Sequence, residues 1–210
     1  MITYREIKKE EIKEVAKMIT KSFGNYPFYL LTFEDKFKNK EKLYKYLEKL
    51  NRIYISSNFR KHKVLVGIEN NKIISVLMLQ DPKSKRLSIW DYIVSGGIKL
   101  VFPVGFKRII DFFKISNKVH EEVENNYPNS LYIELLVISN ELKGKGYGSK
   151  LFNEFLFPYL KKEGIKELSL ITNTEINSKF YLKNGFQNFS IKNLKYKEKE
   201  ITTWSFIKKL

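Results

Sequence analysis

Glycine recurs at every second position in Lys143-Gly-Lys-Gly-Tyr-Gly148, between the apolar run Ile133-Glu-Leu-Leu-Val-Ile138 and an amphipathic stretch that opens at Ser149. A strand that passes through a glycine turn into a helix N-terminus aims unbonded backbone N–H groups and the positive end of a helix dipole at one point. That arrangement holds a pyrophosphate. Two nucleotide readings fail on spacing. A Walker loop requires Gly-Lys followed directly by Ser or Thr, whereas Gly148 is followed by Ser149 and Lys150. The dinucleotide fingerprint requires a third glycine where Ser149 stands, and it belongs near the start of a βαβ domain. This loop lies two-thirds of the way along the chain.

A second motif follows the loop, Asn177-Ser-Lys-Phe-Tyr-Leu-Lys-Asn-Gly-Phe186. Together the two resemble the acyl-coenzyme A loop and the later helix and turn of the GNAT superfamily of N-acetyltransferases. The family loop reads Arg or Gln, two residues, Gly, one residue, then Gly or Ala. Gly146 and Gly148 fall on the required positions and Lys143 replaces the usual Arg or Gln. The resemblance covers Leu131 to Phe189.

It implies an α/β (α+β) fold with a central mixed, mostly antiparallel twisted sheet of about seven strands flanked by helices. Its fourth and fifth strands would be parallel and splayed. The implied activity is acetyl transfer from acetyl-CoA to a primary amine of a small molecule or a protein, with no metal. The alternative is a coenzyme-binding sensory or non-catalytic member of the fold, since fold alone does not choose between them.

By the same resemblance, backbone groups of Leu136, Val137 and Ile138 hold the pantetheine and the acyl carbonyl. The N–H groups of Lys143, Gly144, Lys145, Gly146, Tyr147, Gly148 and Ser149 hold the pyrophosphate. Tyr181 stands at the position of the general acid; an unperturbed phenol, with a pKa of about 10, remains protonated and can donate to a departing sulfur. Glu134 is the candidate base, if strand alternation turns it toward the substrate. Asn177 lies against the coenzyme and also reads as the cap of its helix. His62 and His120 have no partner at ligand spacing, which argues against a metal site or a serine triad.

The elements that must position these groups are legible as patterns. Ile2 to Ile7 alternates as a strand, and Glu10 to Phe23 repeats apolar residues with helical period. Tyr26 to Phe33 is an aromatic loop or short helix, and Lys40 to Tyr54 a second helix. Lys63 to Glu69 and Lys72 to Gln80 predict a hairpin across Asn70-Asn71. The later helix runs to about Glu163, followed by strand Glu167 to Thr172, helix Ser178 to Lys183 and a strand from Phe186.

Lys83 to Asn126 is an apolar insertion between the third and fourth strands. It predicts short helices divided near Gly96-Gly97 and Pro103, leading into a charged helix Asn117 to Val123. Asp91, Lys99, Lys107, Arg108 and Asp111 interrupt it too often for a membrane span. It either borders the acceptor cleft or enlarges the core or a homodimer contact. The acceptor pocket is expected between Tyr26 to Phe33, this insertion and the C-terminal strands, Asn188 to Ile207. Its aromatic residues (Tyr26, Phe28, Tyr29, Phe33, Trp90, Tyr92) suit an apolar or aromatic amine rather than a polyanion.

The 210 residues read as one domain, and 43% hydrophobic content excludes disorder. The net charge is +16, but only Arg5, Arg52, Arg60, Arg86 and Arg108 among 39 basic residues are arginine. The lysines are spread among glutamates rather than gathered in a stripe. That excludes the footprint of a nucleic-acid binder while still favouring a polyanionic coenzyme. No cysteine is present, and the N-terminus lacks the apolar run of a signal peptide, so the expected location is cytoplasmic.

Overall fold

The computed structural model describes Met1 to Leu210. Seven strands form one sheet in the order β1-β2-β3-β4-β5-β7-β6. They are β1 (Thr3–Glu6), β2 (Lys63–Glu69), β3 (Lys72–Gln80), β4 (Leu131–Ile138), β5 (Glu167–Thr172), β6 (Gln187–Tyr196) and β7 (Lys199–Lys209). Every neighbouring pair is antiparallel except β4 with β5. The expected hairpin forms with its expected bounds. Asn70 and Asn71 both take positive φ, 49° and 59°, the conformation that suits a two-residue turn between right-twisted strands.

Strand alternation divides the core between the two faces of the sheet. Val64, Val66, Val76 and Met78 pack against helices α1 (Ile12–Phe23) and α3 (Lys40–Phe59), where Val15, Ala16, Ile19 and Ile55 meet them. Leu65, Leu77 and Leu79 point to the opposite face. There they meet a helical run made of α7 (Tyr147–Lys150), a π-helical segment (Leu151–Leu156) and α8 (Phe157–Lys162). Pro158 has no N–H with which to bond the carbonyl of Glu154, and the residues just before it are the ones wound into the wider π form. Helix α9 (Glu175–Lys183) closes the same face through Tyr181 and Phe180.

Between β3 and β4 the chain forms α4 (Ile89–Val94), a 3-10 turn (Gly97–Leu100), α5 (Val101–Val104) and α6 (Phe106–Asn126). The expected division near Gly96-Gly97 is present. The second break falls at Gly105, whose φ of 87° ends α5, and not at Pro103, which sits within that short helix. The charged helix expected from Asn117 to Val123 is only the C-terminal part of α6, because the apolar residues before it continue the same helical face through Ile115 to Val119 and Val123. Helix α2 (Pro27–Phe33) resolves the aromatic segment as a helix. No helix is long and apolar enough to cross a membrane.

Arg108 fastens α6 to this framework. Its side chain is 5% exposed and donates two bonds to the Asp35 carboxylate, at 2.8 and 2.7 Å, and one to the Thr32 carbonyl at 2.6 Å. Lys197, in the β6–β7 turn, reaches the same carboxylate at 2.7 Å. Partial burial pushes the Asp35 carboxyl up, but Arg108 and Lys197 outweigh it and hold its pKa at about 2. Asp35 is 44% exposed, so solvent screens part of this interaction. Asp35→Asn is expected to cost about 1–2 kcal/mol in urea denaturation at neutral pH. A carboxyl with a lowered folded pKa contributes stability above its unfolded pKa and loses it as pH falls toward the folded value. The difference between the two proteins should therefore shrink as the pH is lowered from about 4 toward 2.

Candidate active site

The parallel pair β4–β5 is matched only at Leu131↔Leu168 and Tyr132↔Ser169; beyond Tyr132 the strands part. On its other edge β4 carries a bulge. Ile133 faces Leu79 and Leu135 faces Met78, so Glu134 is the extra residue between two successive rungs. The bulge resets alternation, because Ile133 packs on the α9 face whereas Leu135 packs on the α1 face. Glu134 is thereby turned into a cavity that begins where the strands separate.

Beyond the end of β4, Gly144 and Gly146 take positive φ, 76° and 82°. Gly146 caps the helical run that starts at Tyr147. The N–H groups of Gly144, Gly146, Tyr147, Gly148 and Ser149 make no hydrogen bond within the chain, while those of Lys143 and Lys145 close turns onto the oxygens of Asn140 and Leu142 at 3.3 Å. A side chain placed on Gly144 or Gly146 would project into open space. Free donors, an unobstructed approach and a positive helix end fit a pyrophosphate. The loop is tied down by Lys143 Nζ, which donates to the Ser22 carbonyl at 3.1 Å, and by the Tyr147 hydroxyl, which donates to Glu69 at 3.0 Å.

Gly148 has a different requirement. A Cβ there would lie 2.8 Å from Cζ of Phe180, so the first turn of the loop helix rests directly on α9. The two sequence motifs thus touch, and the residue after Phe180 is Tyr181. Its ring packs among Phe152, Phe186 and Phe206, and it also lines the cavity. Burial, with a smaller contribution from Tyr26, pushes the phenol above its ordinary pKa.

The cavity has a volume of about 510 Å³ and walls that are mainly apolar, from α2, α3, β4 and the α4–α6 segment. At its polar end the Tyr54 hydroxyl donates to Oε1 of Glu134. Oε2 is buried without a hydrogen-bond partner and lies 3.7 Å from Nε2 of His120. The other ring nitrogen, Nδ1, is 2.6 Å from the Ser116 carbonyl; a carbonyl only accepts, so Nδ1 carries the hydrogen. When the ring is neutral, Nε2 therefore presents a lone pair toward a carboxylate. Two such groups attract a proton or a cation into the space they share. Burial pushes the Glu134 carboxyl up, but the His120 ring, the Tyr54 hydroxyl and the Arg86 charge outweigh it and hold the pKa at about 2.

Of the residues singled out in the sequence, Glu134, Leu136, Asn177 and Tyr181 line this cavity. Val137 is buried in the core on the α1 side, and Ile138 packs on the opposite face, with its carbonyl 3.4 Å from the Ser22 hydroxyl. Asn177 is not the cap of its helix. Thr174 keeps extended backbone just before Glu175, and its hydroxyl accepts from the Asn177 N–H at 3.4 Å, so α9 starts earlier than expected. The C-terminal strands do not line the cavity, because α2 packs against that hairpin through Phe28, Leu31, Leu194 and Ile201 and separates it from the cleft. Phe33 is core and Trp90 faces solvent, whereas Tyr26, Phe28, Tyr29 and Tyr92 are cavity walls.

His120 and Tyr54 were not legible as site residues: each reaches Glu134 only through tertiary packing. Gly148→Ala should weaken coenzyme A binding at least about tenfold, since the added methyl must displace an aromatic ring between two packed helices. Isothermal titration checks this, with retained thermal stability separating loss of the site from loss of the fold.

Comparison with known proteins agrees with this geometry. The family description "Acetyltransferase (GNAT) domain" matches residues 103–188. No curated protein sequence matches the chain. Among solved structures, the C-terminal condensation domain of Ebony in complex with β-alanyl-dopamine has a TM-score of 0.64 at 11% identity, covering 100% of this chain and 99% of that one. The Drosophila melanogaster polyamine N-acetyltransferase gives 0.60 at 12% identity, with both chains covered fully at 100%. The PaiA N-acetyltransferase of Thermoplasma acidophilum, in complex with coenzyme A, gives 0.51 at 16%, covering 100% and 99%. At these identities the likeness establishes the fold. The domain match, over most of α6, β4, the glycine loop and α9, identifies residues 103–188 as similar to a GNAT acetyltransferase domain.

Proposed function

We propose that the chain is an N-acetyltransferase that carries an acetyl group from acetyl-CoA to a primary amine. The observation that carries this reading is the meeting of Tyr181 and the Glu134–His120 pair on one cavity at the mouth of the parting strands. Acetyl-CoA supplies the acyl group in activated form, as a thioester. The glycine loop and the free edge of β4 beyond Tyr132 would hold it, the loop through its unbonded N–H groups.

The amine arrives as an ammonium and must become neutral to attack. A carboxyl that ionises at about 2 keeps protons poorly, so Glu134 serves as the anchor for the ammonium rather than as its base. Nε2 of His120 is the better acceptor, being held in the right tautomer by Ser116. In becoming an amide, the ammonium sheds two protons. One ends on the sulfur, and the other leaves through His120. That ring and Tyr132 also border a second, polar cavity of about 210 Å³ lined by Arg86, Glu124 and Ser130, which offers a way to solvent. Tyr181, with its raised pKa, gives the sulfur a hydrogen bond more readily than a full proton.

The test is release of free thiol from acetyl-CoA with a panel of primary amines. Coenzyme binding without thiol release from any amine would refute catalysis and leave a coenzyme-binding protein. Tyr181→Phe is expected to lower kcat about 100-fold with little change in KM for acetyl-CoA; equal turnover removes the hydroxyl from the reaction. Glu134→Gln should raise KM for the amine about 10- to 100-fold. Because Glu134 stays ionised across the neutral range, its replacement should leave the shape of the kcat/KM pH profile there unchanged, whereas His120→Gln should lower kcat about 100-fold.

A further inference from the structure

We infer that the acceptor is an amphiphile, a primary amine at the end of a long apolar tail, with the tail lying along the α4–α6 wall of the cavity. This rests on the acetyltransferase reading and narrows its substrate class. Glu134 is the only carboxylate in the cavity lining, and no lysine or arginine takes part in it. One ammonium is therefore matched, whereas the second cation of a diamine would lie against hydrocarbon without a counter-charge, and an acidic acceptor would meet no cation at all. A peptide acceptor would bring backbone N–H and C=O groups to walls that leave them unpaired.

The far end of the cavity extends the argument. Ile98, Phe102 and Phe106 line it and are also 58%, 84% and 68% exposed. The apolar wall thus continues out of the cavity onto the surface at these positions. Exposed side chains of this size, contiguous with a site, mark surface that a ligand covers. A tail longer than the cavity would lie across Phe102 and Phe106, while its amine stays between Glu134 and His120. Each methylene added to the tail then removes apolar surface from water on both partners.

The experiment measures kcat/KM for thiol release across the n-alkylamines from butylamine to octylamine, with putrescine as the polar reference. The expected result is a rise of roughly fourfold per methylene, the equivalent of ~0.8 kcal/mol for each buried CH2, with putrescine poorer than butylamine. Phe102→Asp, at an exposed position, should abolish most of the gain for octylamine over butylamine. A flat series, or putrescine as the best acceptor, overturns the inference while the acetyltransferase reading stands. If no amine releases thiol, that reading falls, and titration calorimetry of the same amines decides the inference. Octylamine binding that is tighter than butylamine and weakened by Phe102→Asp supports it; equal binding overturns it.

Discussion

Two rungs of parallel pairing hold β4 to β5, and then the strands let go. A sheet that continued its ladder here would bury the edge of β4, and no ligand could reach its backbone groups. The separation leaves that edge free, and the bulge at Glu134 adds the one charged side chain at the same level. The loop that follows β4 and the helix that follows β5 both inherit their positions from this opening. The glycine loop and the cavity thus depend on an interruption of regular structure, held open by regular structure on either side.

Helix α6 joins stability to chemistry. Near its start Arg108 is clamped by Asp35 and Thr32, and three turns later His120 faces Glu134. About 18 Å of helix separates the two positions, so the clamp sets the height at which the imidazole meets the bulge. Tyr26 does similar work from the other side: its hydroxyl accepts from the Asn173 N–H at 2.7 Å and pairs with Thr172, which fixes α2 against the end of β5. The segment between β3 and β4 is therefore part of the cavity wall and the source of one of its ionisable groups.

Much of this was readable from residue types and spacing. The Asn70-Asn71 hairpin, α1 and the glycine loop carry their signals in contiguous residues, so local pattern suffices. The bulge does not. In Leu131-Tyr-Ile-Glu-Leu-Leu-Val-Ile138 nearly every position is apolar, and alternation gives no sign of where the strand slips a residue. His120 lies in a run that reads as a charged, solvated helix face, and Tyr54 is 80 residues from the carboxylate it bonds. Thr174 and Asn177 are both good capping residues, and only the backbone decides which one stays extended at the start of the helix.

The contact between Gly148 and Phe180 couples the two positions. A side chain at 148 requires the ring at 180 to shift, and a smaller residue at 180 would release position 148. A change at one site is therefore costly alone and cheaper when the other changes with it. The glycine loop and the helix that bears Tyr181 are therefore one packing unit, although 31 residues separate the members of the pair in the chain. The α4–α6 wall across the cavity is not bound by that constraint and can change alone.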